Sequence, residues 1–338
     1  MNPQRRQALL RGTSLAALYA AGVPALAQST AAKATAGPAA TLAPLAEKLR
    51  ILIPANTGGG WDQTGRALGA ALVATGAASQ IEFENVGGKG GTIGLARYAE
   101  KYGSDPNTLL IGGVVMVGAV ALQKPSIDLS HVQPLARLTS DYLVAAVSTK
   151  SPIRGVLELV DALRKDLPNM PIAGGSAGGV DHVFAGMLVR AAKANPDALV
   201  YRPFPGGSEV VDALVSGQAA IGISGYSEFK DAIDSGKLRA VGISARRSAM
   251  GLPSFREQNV DADMANWRAV FTGKDVPPAR RAEMVAALNQ AIGNAGWQRT
   301  LKQNHWESSW LTGKDFGDFL EMELITARIM MYLLKLKA

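Results

Sequence analysis

Cysteine is absent from the 338-residue chain. That excludes disulfides, a thiolate nucleophile and a cysteine-based zinc site, and it decides nothing about redox compartment. Histidine is scarce. His131, His182 and His305 stand far apart, with no H-x-x-x-H or H-E-x-x-H spacing, so no metal site and no cofactor is expected. Charged residues make up 19% against 47% hydrophobic, a balance that excludes a disordered or fibrous chain. Beyond the first 27 residues no stretch keeps the roughly 18 uninterrupted apolar positions of a spanning helix, so a soluble mature protein is expected. Tracts of Lys and Arg are also missing, which argues against nucleic acid despite a formal net charge of +7. At roughly 150 residues per domain, the length suggests two domains.

The N-terminus carries an address. Arg5, Arg6 and Arg11 form a positive region, Leu15 to Leu26 is apolar, and Ala25-Leu26-Ala27 is an A-x-A site. This reads as a secretory signal, residues 1–27, cleaved after Ala27, rather than a membrane anchor. Arg5-Arg6 with Leu9-Leu10 loosely resembles a twin-arginine signal, and general export is equally open. Removing these residues, which hold three arginines and no acid, takes the formal charge from +7 to +4. Residues 28–47, rich in Ala and Thr, read as a flexible linker.

From Lys48 onward short strands alternate with helical patterns. Arg50 to Ile53, Ile81 to Val86 and Thr108 to Ile111 read as strands. Leu68, Ala71, Leu72 and Thr75 mark one helix, and Leu95 with Tyr98 another. Leu143 to Ser148 is a further strand, and after Ser151-Pro152 the same grammar restarts with a helix through Val156, Leu159, Val160 and Leu163. Strands are expected at 171–174, 199–202, 219–224, 238–244 and 267–272, with a helix through Val183, Phe184, Met187 and Leu188. From Pro278 the chain is expected to be helical to its end. Met330, Met331, Leu333 and Leu334 are read as the core face of a final helix rather than a membrane-binding stripe. The rhythm argues for an α/β sheet with mostly parallel strands.

Three glycine loops each follow a strand and open a helix: 56–62, 87–92 and 174–179. The first N–H groups of a helix lack intrahelical partners and sit at the positive end of its dipole. A loop without Cβ atoms lets an anion reach that backbone, so each loop is a candidate carboxylate or phosphate cradle as well as a tight turn. Asp62 stands where an N-cap is expected, and capping suits it better than contact with an anion. Gly88-Lys89 runs into Gly90, which breaks the Walker A pattern, and Gly58-Gly59-Gly60 does not continue as G-x-G-x-x-G. Gly174-Gly175-Ser176-Ala177-Gly178 does match G-x-S-x-G, the nucleophile elbow of a serine hydrolase, although no HGGG-type segment precedes it.

Several ordered motifs then resemble one family, the periplasmic solute receptors of tripartite tricarboxylate transporters (the TctC or Bug receptors). Its first-loop pattern stands here as Pro54-Ala55-Asn56-Thr57-Gly58-Gly59-Gly60-Trp61-Asp62, followed by Gly65-Arg66-Ala67-Leu68. Its second signature stands as Glu84-Asn85 through Gly90-Gly91-Thr92-Ile93-Gly94, without the family's usual proline. Gly175-Ser176-Ala177-Gly178-Gly179-Val180-Asp181-His182, Pro205-Gly206-Gly207-Ser208-Glu209 and Ile221 to Tyr226 complete the set. Gly60-Trp61 and Gly225-Tyr226 look like the tricarboxylate branch.

This resemblance implies a two-lobed α/β periplasmic binding protein, a flytrap with an interlobe ligand cleft. Lobe 1 would be residues 48–148 plus 268–338, and lobe 2 residues 149–267. It implies a non-enzymatic, monomeric receptor that captures a citrate-like polycarboxylate and delivers it to the large and small permease subunits. Alternatives are an aromatic, dicarboxylate or amino-acid ligand, a signalling sensor, or a hydrolase using Ser176. The residues expected to hold the ligand are Asn56, Gly58, Gly59, Gly60, Trp61 and Thr92 on one side. On the other they are Ser176, Ala177, Gly178, Gly179, His182, Arg202, Ser224 and Tyr226. Lys89 is either a cation for a third carboxylate or a solvated loop lysine.

Overall fold

The computed structural model describes residues 43–336. The expected signal segment and residues 28–42 of the expected linker lie outside the described residues. The linker expectation overshoots at its other end, because the first strand already begins at Ala46.

In chain order the first half runs β1 (Ala46–Ile53), α1 (Gly60–Ala74), β2 (Ala78–Asn85), α2 (Thr92–Tyr102), β3 (Thr108–Gly113), α3 (Val114–Gln123) and β4 (Val132–Ser148). Then come α4 (Val156–Asp166), β5 (Ile172–Gly174), α5 (Val180–Ala191), β6 (Tyr201–Pro203), α6 (Gly207–Val215), β7 (Ile221–Gly225), α7 (Tyr226–Asp234) and β8 (Leu238–Ile243). The chain closes with β9 (Ala265–Gly273), α8 (Pro278–Gly293), α9 (Ala295–Gln303), β10 (Glu307–Thr312) and α10 (Gly313–Leu333).

The strands join in the order β2-β1-β3-β9-β4-β7-β5-β6, with β8 and β10 also pairing β4. β4 belongs to both halves of this sheet. Up to Tyr142 it pairs antiparallel with β9, and from Leu143 it pairs with β7 and β8. The chain thus builds two sheet halves on one shared strand. Pairing is parallel for β1-β2, β1-β3, β5-β6 and β5-β7, but antiparallel at every contact of β4 and β9. The mostly parallel sheet expected from the strand-helix rhythm is therefore mixed, because the long returns through β4 and β9 run against their neighbours.

Burial follows the pattern that central strands require. Leu49, Ile51, Leu52 and Ile53 of β1 and all six residues of β3 are buried on both faces. β4 is longer than the run Leu143 to Ser148. Its first part holds Pro134, Arg137, Thr139, Ser140 and Asp141, which break apolar alternation, and Pro134 sits at a register shift where a missing N–H is tolerated. The all-helical C-terminus is interrupted by β10, which pairs β4 across Glu307↔Ser140 and Leu311↔Arg137. No helix among the described residues is long and apolar enough to cross a membrane.

Candidate functional site

The shared strand leaves a cleft of about 760 Å³ between loops of the two sheet halves. Six helices begin around it. The N-caps are Gly59 for α1, Gly91 for α2, Gly113 for α3, Gly179 for α5, Gly206 for α6 and Gly225 for α7. No side chain caps any of these six starts. Away from the cleft, α9 is capped by the Asn294 side chain, whereas α4, α8 and α10 also begin without a side-chain cap. What sets the six apart is their place: their N-termini face the cleft, where each first turn lies at the positive end of a helix dipole.

The first loop is held by Asp62. This residue is not the N-cap expected from sequence; it lies third in α1 and reaches back to accept the Gly58 N–H at 2.9 Å. Asn85 Nδ2 and Arg66 Nε each donate to the same carboxylate at 2.9 Å. Burial works to raise its pKa, but the bonds from Arg66, Gly58 and Asn85 outweigh it and hold the carboxyl below the usual range. Asp62 is thus consumed in fixing the turn. Gly91 needs glycine twice over. Its φ is +90°, and an added Cβ would sit 2.6 Å from the Trp61 ring, which closes one wall of the cleft.

The third loop repeats the device. Gly175 N–H donates to Asp181 Oδ2 at 2.8 Å, and Tyr201 OH donates to the Gly175 carbonyl at 2.8 Å. Ser224 Oγ donates to Glu228 Oε2 at 2.7 Å in the first turn of α7. Burial, with repulsion from Glu228, pushes the Asp181 carboxyl up to about 7 even though the Gly175 N–H pulls it down.

On the cleft floor lies Arg268. Its Nη2 donates to Asp141 Oδ2 at 2.6 Å, its Nη1 to Thr64 Oγ1 at 3.2 Å, and its guanidinium lies 4.4 Å over the Trp306 ring. Burial pushes Asp141 up to about 6 against the pull of this arginine. The cleft's cations are therefore Arg268, already paired, and exposed Lys89, for which the described residues hold no ion-pair partner.

Of the residues singled out from sequence, Asn56, Gly59, Gly60, Trp61, Ser176, Ala177 and Ser224 line this cleft. Seven others do not, and each has a local reason. Gly58 is exposed in the turn that Asp62 ties. Thr92 is buried, donating to the Lys89 carbonyl and Gln123 Oε1. Gly178 packs against the α3 backbone, where a Cβ on Gly118 would meet its carbonyl at 2.1 Å, and Gly179 folds back to donate to the Ser176 carbonyl. His182 accepts the Gly178 N–H at Nδ1 and stacks on Tyr201 at 4.0 Å; burial lowers its pKa to about 4. Arg202 is exposed on β6, away from the lining. Tyr226 sets its ring edge-on to His305 at 5.0 Å. Among the described residues no hydrogen bond joins Ser176 to His182 or His305, the two histidines that follow it in the chain.

Sequence reasoning missed Arg268, Glu228 and Asn266 and quoted Asp181 only as part of a motif. A signal for Arg268 was present, a lone charge inside the apolar run from Trp267 to Phe271. The others carry no local mark.

Comparison with known proteins agrees with this architecture. A family model described as the tripartite tricarboxylate transporter family receptor matches residues 71–330. A protein of Pseudomonas sp. strain P51, the UPF0065 protein in the tcbD-tcbE intergenic region, is 26% identical over 66% of this chain and 68% of its own. The solved periplasmic binding protein BugD superposes with a TM-score of 0.78 at 19% identity, covering 87% of this chain and 99% of that one. MatC from Rhodopseudomonas palustris, solved with bound malate, gives 0.73 at 22% identity over 85% of this chain and 99% of that one.

Proposed function

The chain belongs to the tripartite tricarboxylate transporter family of receptors, a family of solute-binding proteins rather than enzymes, and from that premise we propose that it captures a small polycarboxylate in its cleft and hands it to the membrane subunits of a tripartite transporter. The observation that carries this reading is the ring of six glycine-started helices, whose uncapped N–H groups meet from both sheet halves. Residues 48–148 with 268–338 and residues 149–267 are the two lobes. Closure about β4 brings the two sets of donors onto one ligand, so the closed state alone satisfies its carboxylates. Cleavage after Ala27 releases the receptor into the periplasm, and N-terminal sequencing of the exported protein should begin at Gln28.

The resemblance of Gly60-Trp61 and Gly225-Tyr226 to the tricarboxylate branch supports a citrate-like ligand. A specific observation favours a second reading, a hydroxy- or amino-dicarboxylate. Asp181 and Glu228 line the same cleft, and acceptors there suit a ligand that offers a donor as well as anions. The malate bound to MatC is a molecule of that kind. A thermal-shift panel of citrate, malate, succinate and aspartate tests both. Stabilisation by a di- or tricarboxylate is expected, and its absence across the panel overturns the ligand class.

A further inference from the structure

The outer face of α10 is left bare. Among the described residues ten large apolar side chains are exposed, and five of them lie on this helix: Met322, Ile325, Ile329, Tyr332 and Leu333. The other five are scattered over the rest of the surface. The opposite face of α10 is docked, with Phe316, Leu320, Met331 and Leu334 buried and Glu323 accepting from Trp267 Nε1 at 2.7 Å. Hence the core face expected from Met330, Met331, Leu333 and Leu334 is only partly formed, since Leu333 is 48% exposed and its neighbour Tyr332 83%. Positions 322, 325, 329 and 332 repeat at intervals of three and four, the seam of a two-helix coiled coil. A contiguous apolar stripe of this kind marks an interaction site.

Charge beside the seam is segregated. Asp318 and Glu321 are exposed along the N-terminal half of α10, Arg328 along its C-terminal half and Lys335 just past its end. Lys314 pairs with Asp318 and Asp197 with Lys335, whereas Glu321 and Arg328 have no ion pair among the described residues. Two copies laid antiparallel bring the acidic half of one helix against the basic half of the other; a parallel pair sets like against like. An anionic lipid surface is repelled by the acidic half. Residues 28–42 contain a single large aliphatic side chain, Leu42, too little to cover the stripe.

We propose that α10 is a self-association surface through which two copies of this chain form a two-fold dimer, with Ile325 of one protomer against Ile329 of its partner. Such an interface is isologous and closes on itself. It replaces the monomer that the family resemblance implies, and it does not depend on the ligand.

Sedimentation velocity on the exported, processed protein tests this. The expected result is a dimer at about 100 µM that Ile329→Asp weakens at least tenfold, with the two melting curves alike only at dilutions where both proteins are monomers, since in the monomer the side chain is exposed. Since the chain has no cysteine, Ile325→Cys and Ile329→Cys each add one thiol. Mixing these two variants under mild oxidant should cross-link faster than either alone. A monomer at that concentration, or a dimer indifferent to Ile329→Asp, overturns the proposal. Faster cross-linking of each single variant with itself overturns the antiparallel arrangement.

Discussion

Arg268 and Asp141 form a buried ion pair, Nη2 to Oδ2 at 2.6 Å, where β4 leaves β9 and takes up β7. Neither side chain is more than 4% exposed, and Asp141 Oδ1 has no hydrogen-bond partner. The pair thus joins the shared strand to the cleft floor. Breaking it by Asp141→Leu leaves a buried, uncompensated guanidinium and should cost about 3–5 kcal/mol in urea unfolding. The double variant Asp141→Leu/Arg268→Met should regain most of that loss. A single variant as stable as the wild type would remove the pair from the account.

Asp62 fastens the first glycine loop by its bond to the Gly58 N–H, so its removal acts on the loop before it acts on the ligand. Asp62→Ala removes one of the two acceptors of the half-buried Asn85 amide, which keeps the Ala55 carbonyl, and frees Arg66 and the Gly58 N–H, which should cost about 1–3 kcal/mol. Asp62→Asn, which keeps one acceptor, should fall between the two. Thermal unfolding of the three proteins orders them.

Asp181 makes stability depend on pH. A carboxyl in the unfolded chain titrates near about 4, whereas this one in the fold is pushed up to about 7. Between those values the folded state keeps a proton that the unfolded state has lost. The contribution is therefore fully present below about pH 4 and is lost as pH rises through 7. Asp181→Asn retains an acceptor for Gly175, so it should melt a few degrees higher than wild type at pH 8 and nearly equally at pH 4.

Ligand binding should carry the same sign. Affinity for a polycarboxylate falls above pH 7 as Asp181 ionises, and binding near that pH takes up a proton. Calorimetry in two buffers of different ionisation enthalpy measures the uptake. An amino-dicarboxylate binding more tightly as pH rises from 6 to 8 would favour the second reading of the ligand.

The glycine loops were legible because each combines a strand, a run without Cβ atoms and a helical pattern, all of them local. That pattern marked the loops, the family resemblance picked residues within them, and Asn56, Gly59, Gly60, Trp61, Ser176 and Ala177 line the cleft. The far wall was less legible. His182 sits one helical turn from the Gly178 N–H and is spent on that local bond, while Tyr226 turns to His305, a contact between distant segments. The double role of β4 was hidden for a related reason, since polar residues on a crossing strand interrupt the alternation by which strands are recognised. Arg268 was missed because an arginine inside a strand declares its partner, Asp141, only once 127 residues of chain separation have been closed.

The claim that bare helix N-termini hold the ligand is tested most directly at Gly59. It lines the cleft as the N-cap of α1, its φ of −73° suits alanine, and an added Cβ would meet only the Asn56 carbonyl at an ordinary 3.6 Å. Isothermal titration calorimetry with citrate and malate, wild type beside Gly59→Ala, reads the effect. Saturable one-to-one binding of at least one of them, weakened about tenfold in Gly59→Ala with its fold intact, is the predicted result. No binding of either by the wild type, or equal affinity in the two proteins, would contradict it.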